Sequence, residues 1–258
     1  MSPRPHVPGN RAGNADMRRH EPTGRADEGT VPDSATGHVP EAARRYLAHA
    51  IAPGTPPLRS VRLRMHGWIR AGMWLPFRAE QVIDADRGFL WQATVAGGLL
   101  RVADRYDDGR AWLRVDLLGL IPLLRAKEGN LARSALGRAV AERVWLPTAL
   151  VPDSDIVWSS PAPDCAVATV PTSHGDVPLT LLTDHDGALR SVSLPRWKQE
   201  RGRWSEVPFG MEVLAAATFG GVTVPSRGRA GWWFGSARFK QGEFFRFTVD
   251  AMEFAPRG

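Results

Sequence analysis

The stretch Pro225-Ser-Arg-Gly-Arg-Ala-Gly-Trp-Trp-Phe-Gly-Ser236, followed by Gly242-Glu-Phe-Phe-Arg-Phe-Thr-Val-Asp250 and running on to Phe254, decides the fold. It holds eight of the chain's 22 aromatic residues: Trp232, Trp233, Phe234, Phe239, Phe244, Phe245, Phe247 and Phe254. Phe245, Phe247, Val249 and Ala251 alternate with Arg246, Thr248 and Asp250. A period of two marks a strand with one apolar face. The stretch reads as a β-hairpin that turns between Gly235 and Gly242. Gly231 and Gly235 bracket the aromatic run, and glycine in a strand marks a bulge or a close approach. Trp232 and Trp233, as strand neighbours, are expected on opposite faces, and so are Phe244 and Phe245.

Working back from this hairpin, the same alternation recurs. Val61, Leu63, Met65 and Ile69 alternate with Arg62, Arg64, His66 and Arg70. Phe77, Ala79, Gln81 and Ile83 share a face, as do Phe89, Trp91, Ala93 and Val95. Ala111, Leu113, Val115 and Leu117 complete a meander. Turn signals at Ala71-Gly72, Asp84 to Gly88, Gly97-Gly98 and Asp107-Asp108-Gly109 separate these runs. Short hairpins in series predict antiparallel pairing. Further strands are expected at 156–159, 166–170, 177–183, 188–194, 207–218 and 222–231.

Two helices interrupt the pattern. Residues 39–51 carry Ala43, Tyr46, Leu47, Ala50 and Ile51 at helical spacing, with Pro40 in the first turn. The second runs from Asn130, read as its N-cap, to about Trp145, with Pro147 stopping it. Small residues dominate the second helix, which suits it to sit against a sheet as a plug. The fold expected is mainly β (α+β): a curved antiparallel sheet or half-barrel of about 11–12 strands, with a central helix and a short N-terminal helix.

The chain has 258 residues and a formal charge of +6. Residues 1–38 have almost no large apolar side chain and balanced charge, so they read as a disordered tail. Residues 39–258 read as a single β-rich domain carrying the whole excess charge. Cys165, the only cysteine, excludes an internal disulfide. No run is apolar for long enough to form a secretory core or a transmembrane helix, and the chain reads as cytoplasmic.

Catalytic motifs are absent from the sequence: no nucleophile elbow, no phosphate loop, no dinucleotide fingerprint. The seven histidines show no metal-ligand spacing, so neither a metal nor a cofactor is expected. Arg62, Arg64 and Arg70 with Trp68 form a basic strand face, but no nucleic-acid motif accompanies them, and nucleic acid is not an expected partner. The reading that remains is a non-enzymatic binder of an apolar or amphipathic small molecule, lipid-like, in an aromatic-lined cavity. Its expected ligand-binding residues are Trp91, Trp145, Trp232, Trp233, Phe245 and Phe247. The alternative is an enzyme with a carboxylate–arginine site at the cavity mouth, drawn from Glu80, Arg105, Arg227 and Glu243, with Asp104 and Arg229 as further candidates. The basic charge also allows peripheral contact with anionic membranes.

Leu194-Pro-Arg-Trp197, Val207-Pro-Phe-Gly210, Phe219-Gly-Gly221, Gly231-Trp-Trp-Phe-Gly235 and Gly242-Glu-Phe-Phe-Arg246 resemble the ordered blocks of an uncharacterised bacterial family, a domain of unknown function. Leu117 to Pro122 and Val144 to Leu150 resemble its middle blocks. The resemblance covers about residues 39–254 and implies no activity. The strand–helix–strand order is also similar to that of the periplasmic lipoprotein carriers, whose curved sheet wraps a helix and holds acyl chains.

Overall fold

The computed structural model describes residues 39–127, 129–152 and 155–256. The expected disordered tail, with His6, His20 and His38, lies outside the described residues. In chain order the elements are α1 (Glu41–Ala50), β1 (Leu58–Ala71), β2 (Met73–Asp84), β3 (Gly88–Val95), β4 (Leu100–Asp107), β5 (Arg110–Leu117), β6 (Ile121–Lys127) and α2 (Asn130–Ala141). Two 3₁₀ turns follow, Glu142–Trp145 and Pro147–Leu150. Then come β7 (Val157–Ala162), β8 (Cys165–Val170), β9 (Val177–Thr183), β10 (Leu189–Glu200), β11 (Arg203–Phe219), β12 (Val222–Trp232), the one-turn helix α3 (Phe239–Gly242) and β13 (Glu243–Pro256).

All thirteen strands join one antiparallel sheet in the order β6-β5-β4-β3-β2-β1-β13-β12-β11-β10-β9-β8-β7. Each half is a plain meander. The non-local step is the pairing of β1 with β13, which sets Leu63 against Met252 and Ile69 against Phe245. The sheet is strongly curved. Helix α2 touches both β5 and β10, which are eight strand spacings apart in the order. In a flat sheet that is about 38 Å, whereas a helix with its side chains is only about 10–12 Å wide. The sheet must therefore wrap the helix. Glycine at Gly137 permits a close approach, since a Cβ there would lie 3.1 Å from the Arg196 side chain.

Alternation places Val61, Leu63, Met65, Phe77, Ile83, Trp91, Phe247 and Val249 in one buried cluster on the concave face. Arg62, Arg64, His66 and Arg78 stand on the convex face in solvent. Helix α1 buries Ala43, Tyr46, Leu47 and Ala50, and its Tyr46 ring packs 6.4 Å from that of Trp158 on β7. Burial raises the Tyr46 hydroxyl well above the usual tyrosine range.

Several expectations need correction. The sheet gains β6, whose Ile-Pro-Leu-Leu start hides any alternation. Strands β10 and β11 extend past the expected 188–194 and 207–218, meeting at an Arg201-Gly202 turn. Helix α2 starts after Gly129 rather than at an Asn130 cap, and no side chain caps it. It ends at Ala141, where the chain tightens into 3₁₀ geometry. Trp233 is not a strand residue: β12 stops at Trp232, and Trp233 has a positive φ of 55°. Phe244 and Phe245 do not split between faces. Ala230 pairs with Phe245 and Gly231 with Glu243, so Phe244 is the extra residue of a β-bulge. A bulge re-aims side chains, and both rings turn toward the concave side. Past a second bulge, between the β1–β13 pairs Arg64–Ala251 and Met65–Val249, Met252 and Phe254 rather than Ala251 pack on the core.

At the middle of the sheet, Gly67 and Gly228 flank Phe247 in register. A Cβ on Gly67 would lie 1.9 Å from the Arg246 carbonyl oxygen. That atom is main chain and cannot swing aside. Gly67→Ala is expected to cost about 2–3 kcal/mol through forced separation of β1 from β13. Urea unfolding checks this, and a change below about 0.5 kcal/mol would show that the two strands can slide apart freely.

Candidate functional site

Between the concave sheet and α2 lies a cavity of about 350 Å³. That is within the lower range of small-molecule sites, about 300–1,000 Å³. Its walls come from both halves of the sheet: Ile69 and Leu75 from β1 and β2, Trp91 from β3, Val102 and Leu113 from β4 and β5, and Phe209, Phe244 and Phe245 from β11 and β13. Two aromatic groups shape it. The Phe245 ring stacks on Phe77 at 5.0 Å and meets Trp91 edge-on at 6.1 Å. The Phe244 ring stacks on Trp232 at 6.0 Å, and Trp232 meets Phe209 at 5.2 Å.

Three charged side chains share this apolar space: Asp104, Arg138 and Arg196. Asp104 faces inward because it pairs in register with Trp91 and Leu113, and cross-strand partners share a face. Arg138 projects from α2. Its Nε donates to Glu142 at 2.6 Å and its Nη1 to Asp104 at 2.7 Å. Glu142 also accepts from the buried Gln81 amide at 2.6 Å. The guanidinium lies over Phe89 and Trp91. Burial alone would lower the Arg138 pKa, but the Glu142 and Asp104 carboxylates outweigh it and the net shift is upward.

Arg196, on β10, is placed differently. Its Nε donates to the Ser134 carbonyl oxygen of α2 at 2.8 Å. Its guanidinium sits over Phe209 and Trp232 at 4.6 and 4.9 Å. Among the described residues no carboxylate lies within ion-pair distance of it. Burial first, and repulsion from Arg138 second, pull its pKa down to about 10. It thus stays a cation at neutral pH, in a setting that favours a nearby negative charge. Trp91 Nε1, also at the cavity wall, is a buried donor without a partner among the described residues.

Of the six aromatic residues expected at the ligand, Trp91 and Phe245 line the cavity. Trp232 stands just behind it, against Phe209 and Phe244. Trp145 and Phe247 form a neighbouring T-shaped pair at 5.5 Å, and Trp145 Nε1 donates to the Pro225 carbonyl. Trp233 lies in the β12–β13 connection with Arg238 and Lys198 over its ring at 4.0 and 4.7 Å.

Of the polar residues expected at a cavity mouth, Asp104 lines the cavity, whereas Glu80, Arg105, Arg227, Arg229 and Glu243 lie on the convex side of the sheet. Glu80 stands opposite Arg64 and Gln92 in register. Arg105 bonds Asp107, which holds that carboxyl below its ordinary range. Arg227 is exposed opposite Thr248. Glu243 is buried, but its carboxylate faces Arg246 at 2.5 Å and Arg229 at 3.6 Å. Glu80, Arg105 and Arg227 point away from the cavity because side chains alternate along their strands and their neighbours face inward.

Sequence reading missed Arg138, Arg196, Phe209 and Phe244. A signal existed for the first: Arg138 and Glu142 stand four apart on a helix of otherwise small residues, a spacing that brings them together. Asp184, His185 and Asp186 also place ligand-type atoms within 4.8 Å of one another. Asp184 there accepts the Asp186 and Ala188 amides and serves the turn.

The family described as a family of unknown function (DUF6544) matches residues 30–246. No curated protein matches the chain. A LolA superfamily protein from Nitrosomonas europaea is similar in structure, with 11% identity and a TM-score of 0.42, over 84% of this chain and 93% of that one. A DUF1329 family protein from Desulfovibrio piger is similar at 9% identity and a TM-score of 0.43, over 83% and 90% of the two chains.

Proposed function

The chain belongs to DUF6544, a family of unknown function, and on that footing we propose that residues 39–258 act as a single domain that binds a lipid-like small molecule without transforming it. The observation that carries this reading is the 350 Å³ cavity walled by Trp91, Phe209, Phe244 and Phe245. Apolar walls with a few placed polar groups are the common form of a small-molecule site. Arg196 supports an amphipathic ligand with an anionic head: it supplies a cation at the wall, with apolar surface beside it for the tail.

Native mass spectrometry of the purified protein is expected to show a bound species that organic solvent removes. Repeated ligand-free spectra, together with no thermal shift from a series of fatty acids, would sink the proposal. Within such a series, dodecanoate is expected to bind about tenfold more tightly than dodecanol, the difference being a charge-assisted hydrogen bond to Arg196. Arg196→Met keeps an apolar stem beside Gly137 but removes the guanidinium over Phe209 and Trp232, and is expected to erase the preference. Equal binding of acid and alcohol by the unmodified protein would remove Arg196 from ligand recognition.

A further inference from the structure

Three successive turns lie at one end of the sheet: Ala71 to Met73, Ala96 to Leu99 and Leu118 to Leu120. The register of β1 on β2, β3 on β4 and β5 on β6 brings them side by side. The cavity lies at the same end, since Ala71, Val95 and Leu100, which border these turns, line it. Turn tips are ordinarily polar. Here each presents a large apolar side chain: Met73 is 67% exposed, Leu99 48%, Leu118 60% and Leu120 82%, and Ile121 next to them is 56%.

The backbone makes Leu118 the most telling of these. The Leu120 amide donates to the Leu117 carbonyl at 3.0 Å, and the two central residues, Leu118 and Gly119, have φ of 53° and 71°. This is the mirror-image hairpin turn, whose first position favours Asn, Asp or Gly. A leucine there is strained, and its side chain is left 60% exposed. The surroundings are basic. Arg101 lies against Gly119, and Arg70, Arg238 and Lys240 are exposed around the same end. Among the acids, Asp116 is held by Arg114 at 2.6 Å and Glu200 faces Lys198 and Arg238 at 3.8 Å. Apolar tips ringed by cations are complementary to an anionic bilayer, with acyl chains beneath and phosphates above. Among the described residues no helix is long and apolar enough to cross a membrane.

We propose that these three turns dock the protein on anionic lipid bilayers, Leu118 and Leu120 entering the acyl layer, so that the cavity behind them exchanges its ligand with the membrane. The exchange rests on the lipid-binding reading above; the docking does not. The test is co-sedimentation with phosphatidylcholine vesicles, with and without one-third phosphatidylglycerol, at low and high salt. The unmodified protein is expected to bind the anionic vesicles about tenfold better than the neutral ones and to weaken in high salt. The double variant Leu118→Asn, Leu120→Asn is expected to lose about tenfold or more in vesicle affinity. Its Tm should not fall, because Asn-Gly suits the turn. Its uptake of soluble dodecanoate should match that of the unmodified protein. No vesicle binding by the unmodified protein, unchanged binding by the double variant, or a solution dimer that the double variant dissociates would each overturn the docking. Failure of both proteins to take up dodecanoate would instead count against the cavity reading.

Discussion

Phe247→Ala is expected to destabilise the protein by about 3–5 kcal/mol, near the upper end for a phenylalanine truncation. The ring is 2% exposed and sits at the centre of the sheet. Trp145 meets it at 5.5 Å and Phe245 stacks on it at 5.9 Å. Its cross-strand neighbours are Gly67 and Gly228. The cost of a truncation depends on how far the surroundings collapse into the space, and glycines have no side chains with which to fill it. Trp145 cannot follow easily, because its indole N–H is tied to the Pro225 carbonyl. Denaturant unfolding with an unchanged m-value is the measurement. A loss below about 1.5 kcal/mol would mean that Trp145 drops into the gap. Trp233→Ala is the internal contrast. That ring lies outside the cluster between two cations, and its loss should stay within about 1 kcal/mol.

Arg138→Met is expected to cost about 3–5 kcal/mol as well, by a different route. Methionine keeps an apolar stem of similar length but removes the guanidinium that lies over Phe89 and Trp91 and its charge shared by Glu142 and Asp104. Two carboxylates then remain in a largely buried space, with the Gln81 amide still donating to Glu142. A charge stranded in this way is far costlier than an absent pair. Adding Glu142→Gln to Arg138→Met should therefore recover part of the loss, since a neutral amide can still bond Gln81. Thermal and denaturant unfolding of the two variants decide it. If the double variant is no more stable than Arg138→Met alone, charge burial is not the source of the loss.

The sequence by itself determined which residues face the core along most strands. Side chains alternate strictly along extended backbone, so Val61, Leu63 and Met65, or Phe245, Phe247 and Val249, could be assigned without knowing their neighbours. It also determined the order of helices and meanders, because glycine turns and proline stops are local chemistry. Tertiary structure decided where alternation breaks and what the faces enclose. The bulge at Phe244 exists only because Gly231 pairs with Glu243 across the sheet, and it brings two rings into the cavity where a regular strand would bring one. Strand β6 forms although its apolar run does not alternate, because β5 offers it an open edge. Arg138 and Arg196 come from segments some sixty residues apart and meet Asp104 and Phe209 only when the sheet wraps α2. Curvature and the β1–β13 register arise from contacts between distant parts of the chain. A pattern with a period of two carries no record of them, and so the walls of the cavity could be read only in part before the fold was known.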